Sequence, residues 1–119
     1  LRVAFVYSGD ENCRLDSKTE LMLYRVAQEL INNAMKHSGA KNVHVQLSLP
    51  PHHFGMVIED NGQGFSLENV RLRPSPGLGL DSIEGRLRII DGKIQYETAP
   101  EKGCRAIVEL KNFAAEKAK

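Results

Sequence analysis

Nothing limits the folds open to this chain more than the way its strands arrive in pairs. Val43, Val45, Leu47 and Leu49 alternate with His44, Gln46 and Ser48, the two-residue period of a strand covered on one face. Pro50-Pro51 stops that run, and "FGMVIED" reads as its hairpin partner. A second pair closes the chain: "KIQYETA" and "CRAIVEL", joined by Pro100-Glu101-Lys102-Gly103. A doubly wound parallel sheet needs strands that alternate singly with helices, so paired strands argue against it. The expected class is α+β: a two-layer α/β sandwich whose mixed or antiparallel sheet carries its helices on one face.

The remaining elements fit that plan. "RVAFVY" (residues 2–7) is rich in β-branched and aromatic side chains and runs into Ser8-Gly9-Asp10, so it reads as a strand. Asp16 or Ser17 can cap a helix reaching about His37, with Ser17 and Glu20 spaced as a capping box. Leu23, Val26, Ala27, Leu30 and Ala34 form its buried stripe. A second helix fits Leu80 to Ile90, with Ile83, Leu87 and Ile90 turned inward. Between Gly62 and Gly79 no period is convincing, and Pro74 and Pro76 break any helix, which leaves a long loop of the kind more often functional than idle. Residues 112–119 are polar and alanine-rich, a tail expected to fray after a domain of residues 1–111.

Composition narrows the chemistry. A chain of 119 residues suits one domain. With 16 basic against 15 acidic side chains, no bulk field attracts nucleic acid or an anionic membrane, so neither is an expected partner. Any anion must be held by a local site. Cys13 and Cys104 lack the spacing of a metal knuckle and the density of a disulfide scaffold, and read as free thiols in a reducing compartment. No apolar run approaches the roughly 18 residues that span a bilayer. The chain opens on a strand already in progress, which suggests a piece cut from a longer protein.

Three stretches could carry chemistry. On the first helix Arg25, Glu29, Asn33, Lys36 and His37 recur at helical steps and should share one face, away from the apolar stripe. That face could be plainly solvated, with an Arg25 to Glu29 ion pair. Adjacent Asn32 and Asn33 in a helix interior are poor helix formers, however. An amide oxygen between Glu29 and Lys36 is also a donor that suits magnesium shared with phosphates.

The second stretch is "IEDNGQGF", residues 58–65. Its Asn-Gly pair signals a tight hairpin, but no strand follows Phe65. A calcium loop would need oxygens at alternate positions and a glutamate at the twelfth, and a dinucleotide fingerprint needs a third glycine opening a helix. What remains is a strand end presenting Asp60, followed by glycines that let a flat ligand approach the backbone. A carboxylate only accepts hydrogen bonds, so Asp60 suits an exocyclic amine such as adenine's. The third stretch is "PGLGL", residues 76–80. It is either a helix-entry turn or a phosphate contact at a helix N-terminus.

Taken in order, "ELINNAMKH", "DNGQGF" and "GLGL" resemble the N box and the two glycine boxes of the GHKL ATP-binding superfamily. The match is closest to the catalytic and ATP-binding domain of bacterial sensor histidine kinases. The wording of "LYRVAQELINNAMKHSGAKNVHVQLS" is similar to the subfamily that regulates partners with helix-turn-helix output domains, and the resemblance runs from about Leu15 to Leu110. It implies the Bergerat ATP-binding fold and the cofactors ATP and Mg²⁺. Asn33 would ligate the metal, Lys36 and His37 would lie near the phosphates, and Asp60 would bind the adenine amine. Gly62 and Gly64 would shape the adenine pocket, and Gly77, Gly79 and Leu80 would hinge a lid.

Glu29 matches the water-activating base of the ATPase branches; in a histidine kinase it would assist proton removal or orient groups, and Lys36 would stabilise charge. One departure is Cys104, where family members usually carry threonine. The resemblance also implies partners, a dimerisation domain bearing the phosphoacceptor histidine and a response regulator, and a cytoplasmic location, with the parent chain possibly anchored in a membrane without direct contact by this fragment. A stand-alone GHKL serine kinase that silences a sigma factor, and a hydrolysing ATPase module, are the rival expectations.

Overall fold

The computed structural model describes residues 2–8, 13–36, 39–48, 54–64, 80–110 and 115–117. In chain order these form β1 (Arg2–Ser8), β2 (Cys13–Leu15), α1 (Ser17–Lys36), β3 (Asn42–Ser48), β4 (Phe54–Asp60), α2 (Leu80–Ile89), β5 (Gly92–Thr98), β6 (Cys104–Leu110) and β7 (Ala115–Lys117).

A five-stranded sheet has the order β1-β3-β4-β6-β5. β1 runs parallel to β3, and every other neighbouring pair is antiparallel, so the sheet is mixed, with both expected hairpins in it. The register aligns side chains into layers that cross the strands. Leu47, Met56, Val108 and Ile94 form one layer, Val45, Ile58, Ala106 and Tyr96 the next, and Val43, Asp60, Cys104 and Thr98 the last. Val43, Val45, Met56, Ile58, Ala106 and Val108 are buried beneath the helices. The opposite face carries exposed His44, Gln46, Glu59, Arg105 and Glu97. There Arg105 bridges its cross-strand neighbours Glu59 at 3.6 Å and Glu97 at 3.7 Å, solvent-exposed pairs that contribute little to stability.

Both helices cover the buried face, α1 against β4 and α2 against β5, and they also pack on each other. From α1, Leu23, Val26, Leu30 and Ala34 enter the core, and α2 supplies Ile83 and Leu87. Of the two expected caps, Asp16 and Ser17, the bonds fall on Asp16. Glu20 N–H donates to the Asp16 carbonyl, closing the first helical turn on Asp16, and the Thr19 hydroxyl donates to Asp16 Oδ1. The Thr19 hydroxyl first, and the backbone N–H of Thr19 after it, hold the Asp16 carboxyl below its ordinary range, as expected of an N-cap.

The chain ends also differ from expectation. Within the segment read as a frayed tail, Ala115–Lys117 pairs antiparallel with Cys13–Leu15 in a separate two-stranded sheet. Three-residue strands are too short to show a period, and Leu15, the core residue of that ribbon, precedes α1 with no alternating neighbour to mark it. Most of the proline-containing stretch, residues 65–79, lies outside the described residues, with Gly77, Gly79 and His37.

Candidate functional site

β4 builds the site by continuing its own alternation. Phe54, Met56 and Ile58 point into the core. Asp60, two residues on, occupies the same face at the strand's end and is half-buried. Its Oδ1 accepts the Gly62 N–H at 2.8 Å, an Asx turn that fixes the carboxylate's orientation. Asn-Gly is therefore not the centre of a hairpin here. Asn61 turns instead towards β3, where its Oδ1 accepts the N–H of Lys41 at 3.0 Å and of Asn42 at 2.9 Å.

The loop after Asp60 interlocks with the turn between β5 and β6. Lys102 N–H donates to the Ala99 carbonyl at 3.0 Å. Pro100 at the first central position and Glu101 at the second, with a positive φ of 66°, give the pattern of a type II turn. Glu101 N–H donates to the Gln63 carbonyl. Gly64 and Gly103 both have positive φ, and both touch the opposing backbone. A Cβ on Gly103 would meet the Asp60 carbonyl oxygen at 2.4 Å, and one on Gly64 would meet the Ala99 carbonyl at 2.2 Å. Gly64 thus serves close packing of two backbone segments.

Across the sheet from Asp60, in the same layer, lie Cys104 and then Thr98. The Thr98 hydroxyl donates to the Gly103 carbonyl at 2.8 Å. Burial pushes the Cys104 thiol up to about 11, the Asp60 charge pushes the same way, and the Thr98 hydroxyl opposes both. At neutral pH the thiol is protonated, so the Asp60 layer carries no thiolate charge beside the carboxylate.

On α1, Glu29 and Asn33 are half-buried, whereas Arg25, Asn32 and Lys36 are exposed. The expected face away from the apolar stripe is therefore divided. Glu29 and Asn33 follow Val26 and Leu30 by three residues each, and that step holds them against the edge of the stripe. Leu80, expected at the hinge of the lid, is the first residue of α2, half-buried and packed against the core. Asn61 and Thr98 were not singled out by sequence. Counting outward from the β5–β6 turn pairs Thr98 with Cys104, and only the β4–β6 register then brings that pair to Asp60.

Among the described residues, no helix is long and apolar enough to cross a membrane. Residues 18–113 match the family model described as histidine kinase-, DNA gyrase B-, and HSP90-like ATPase. The chain is 36% identical over 103 residues to the sensor histidine kinase ComP of Bacillus subtilis, covering 87% of this chain and 13% of ComP. It is 30% identical over 99 residues to the signal transduction histidine-protein kinase/phosphatase DegS of the same organism, covering 82% of this chain and 26% of DegS. The chain thus spans about a quarter or less of these relatives. The catalytic domain of the histidine kinase ThkA shares the fold at a TM-score of 0.69 and 20% identity, over 92% of this chain and 78% of that one. A blue-light activated histidine kinase of Erythrobacter litoralis gives the same TM-score at 14% identity, over 92% of this chain and 35% of its own. With its three boxes in order, its two-layer fold and a family match over most of its length, the chain belongs to the histidine kinase-, DNA gyrase B- and HSP90-like ATPase family, an ATP-binding family.

Proposed function

We propose that this chain is the catalytic and ATP-binding domain of a two-component sensor histidine kinase. It binds Mg²⁺-ATP and donates the γ-phosphoryl group to a histidine on a separate dimerisation domain, from which the group passes to a response regulator. The observation that carries the reading is Asp60. A half-buried carboxylate at the end of β4, on its core-facing side and oriented by the Gly62 N–H at 2.8 Å, is an acceptor suited to an exocyclic amine. The likeness to the histidine kinases ComP and DegS favours a histidine acceptor over the serine-kinase reading. A cytoplasmic location follows from the same reading, as does a site that takes neither nucleic acid nor membrane lipid.

The donor set fits magnesium in the manner proposed. No cluster of three or more His, Cys, Asp or Glu side chains capable of holding a metal occurs among the described residues. Half-buried Asn33 offers a hard amide oxygen one helical turn from Glu29. A sparse set of this kind suits an ion that keeps water and phosphate oxygens as its other ligands. Magnesium held by Asn33 would neutralise charge on the phosphates. Asp60 anchors the base, with Gly62 and Gly64 shaping the adenine pocket. Exposed Lys36 stabilises charge at the phosphates with His37, and Gly77, Gly79 and Leu80 hinge the covering loop. We assign Glu29 the task of assisting proton removal from the attacking imidazole or orienting it. Positioning and electrostatic stabilisation supply the catalysis.

Calorimetric titration with ATP, with and without Mg²⁺, tests the reading. Asn33→Ala should remove most of the metal's effect on affinity and leave metal-free binding unchanged. An unaltered magnesium effect would overturn the assignment of Asn33. Steady ATP turnover by the chain alone, lost on Glu29→Ala, would favour the hydrolysing ATPase over the kinase.

A further inference from the structure

We propose that Asn61 is a positioning residue of this site, tying the C-terminal end of α1 to the strand end that carries Asp60. The inference rests on the nucleotide reading above and concerns how two separated parts of that site keep their spacing. One part is the last two turns of α1, with Asn33 and Lys36. The other is Asp60. These two belong to elements with a long stretch of sequence between them, so something must fix the distance.

A continuous set of hydrogen bonds does so. At the end of α1, Ala40 N–H donates back to the Ala34 carbonyl at 3.1 Å, next to Asn33. Gly39, with a φ of 63°, turns the chain there. The next two residues, Lys41 and Asn42, both direct their N–H groups at Asn61 Oδ1, at 3.0 and 2.9 Å. Asn61 N–H donates to the Asn42 carbonyl at 3.3 Å, continuing the ladder past the Val43 to Asp60 pair. Asp60 is the next residue along. A single carboxamide oxygen therefore joins the residues after α1 to the residue after Asp60.

The bland alternative is that Asn61 merely ends β4. Both side-chain bonds are solvent-exposed, so water can take over the Lys41 and Asn42 N–H groups when the oxygen is removed, and their contribution to stability is small. Their consequence is geometric. Only an acceptor held at this distance from the backbone keeps two successive N–H groups aimed at one point, and a site loosened by about an ångström loses much of its affinity and rate. Oδ1 acts here as an acceptor, so aspartate can replace asparagine. Glutamine cannot, because its oxygen stands one methylene farther out.

The test compares MgATP with adenosine, titrated against the unsubstituted chain, Asn61→Ala, Asn61→Asp and Asn61→Gln. Adenosine reports on the Asp60 part alone, whereas MgATP spans both parts. In Asn61→Ala and Asn61→Gln the affinity for MgATP should fall about tenfold more than that for adenosine, and Asn61→Asp should restore the ratio. Hydrogen exchange at the Lys41 and Asn42 amides should speed up in the alanine and glutamine variants and not in the aspartate variant. Equal losses for both ligands, or no rescue by aspartate, would overturn the role, as would unchanged exchange in the alanine variant. If alanine does not fold, the glutamine and aspartate variants decide. Failure of the unsubstituted chain to bind either ligand would instead sink the nucleotide reading, and the role of Asn61 with it.

Discussion

Two neighbouring layers on the same sheet face differ in what they hold. The layer of Val45, Ile58, Ala106 and Tyr96 lies under the helices, with Val45, Ile58 and Ala106 buried. One step towards the sheet's end, Val43, Asp60, Cys104 and Thr98 occupy equivalent places on the same strands. The change from apolar to polar coincides with the point where the strands give way to the loop after Asp60 and the β5–β6 turn, whose backbone supplies hydrogen bonds. Burying a carboxylate in the first layer would leave it without partners and cost several kcal/mol or more. In the second, Gly62 N–H meets Asp60 and the Gly103 carbonyl meets Thr98. The site is thus the core's own register, continued to a place where backbone groups can satisfy polar side chains.

The most disruptive test is to force apart the two segments that make the second layer possible. Gly103→Ala puts a methyl 2.4 Å from the Asp60 carbonyl oxygen, at a φ of 75°. Left-handed backbone costs a substituted residue about 1–2 kcal/mol, and the overlap adds a further ~1–3 kcal/mol. We expect a loss of roughly 3 kcal/mol in denaturant unfolding, together with weakened nucleotide binding, because Asp60 must move. Gly85→Ala within α2 is the control: nothing lies within 4 Å of its added Cβ. It should raise stability by about 0.5–1 kcal/mol and leave binding unchanged. Equal effects of the two alanines would show that the interlock is unimportant.

A crossed pair sharpens the contrast between layers. Ile58→Ala empties a core position that is 3% exposed and should cost about 2–5 kcal/mol of stability, with little change in nucleotide affinity among molecules that remain folded. Asp60→Asn should do the reverse. It replaces an acceptor by a group that presents a donor to the ligand's amine, and we expect about a hundredfold loss of affinity with stability changed by less than about 1 kcal/mol. Calorimetry and unfolding curves on both variants check the pattern. Parallel losses in either would mean that the two layers work as one.

The first layer was legible in the sequence and the second only in part. Strand alternation and helix spacing gave Val45, Leu30 and Ile83 their buried places, because burial of a repeating pattern is what those periods report. Asp60 drew notice through the glycines after it. Its lateral contacts were not legible: Cys104 stood out only for the threonine usual in its place and Thr98 not at all, and only strand register aligns the two with Asp60. The division of the α1 face also escaped the reading. Glu29 and Asn33 share the helical spacing of Arg25 and Lys36, and spacing does not say how wide the buried stripe will be. Asn61 was hidden for another reason: its Asn-Gly pair has a stronger local meaning as a turn than as a tie to Lys41 and Asn42.

Cys104 offers the mildest perturbation of the second layer, because a proton replaces a mutation. Its thiol is pushed from an ordinary value of 9.0 up to about 11, by burial first and by Asp60 second. Alkylation should therefore titrate with a midpoint near 11, and at pH 8 it should run about a hundredfold slower than for an unperturbed thiol, in proportion to the thiolate present. Asp60→Asn removes the smaller of the two raising causes, so the midpoint should fall without reaching 9. Thr98→Val removes the opposing hydroxyl and should raise it. A midpoint that ignores both changes would place the thiol outside the electrostatic reach of Asp60 and break the layer as a unit. The sign for stability follows from the same shift. A group whose folded pKa lies above its unfolded value binds its proton more tightly when folded, so its contribution is complete below pH 9 and is lost as pH rises towards 11. Above that range the thiolate repels Asp60 across the strand pair, and the layer that depends on one carboxylate having no charged neighbour there should be the first to loosen.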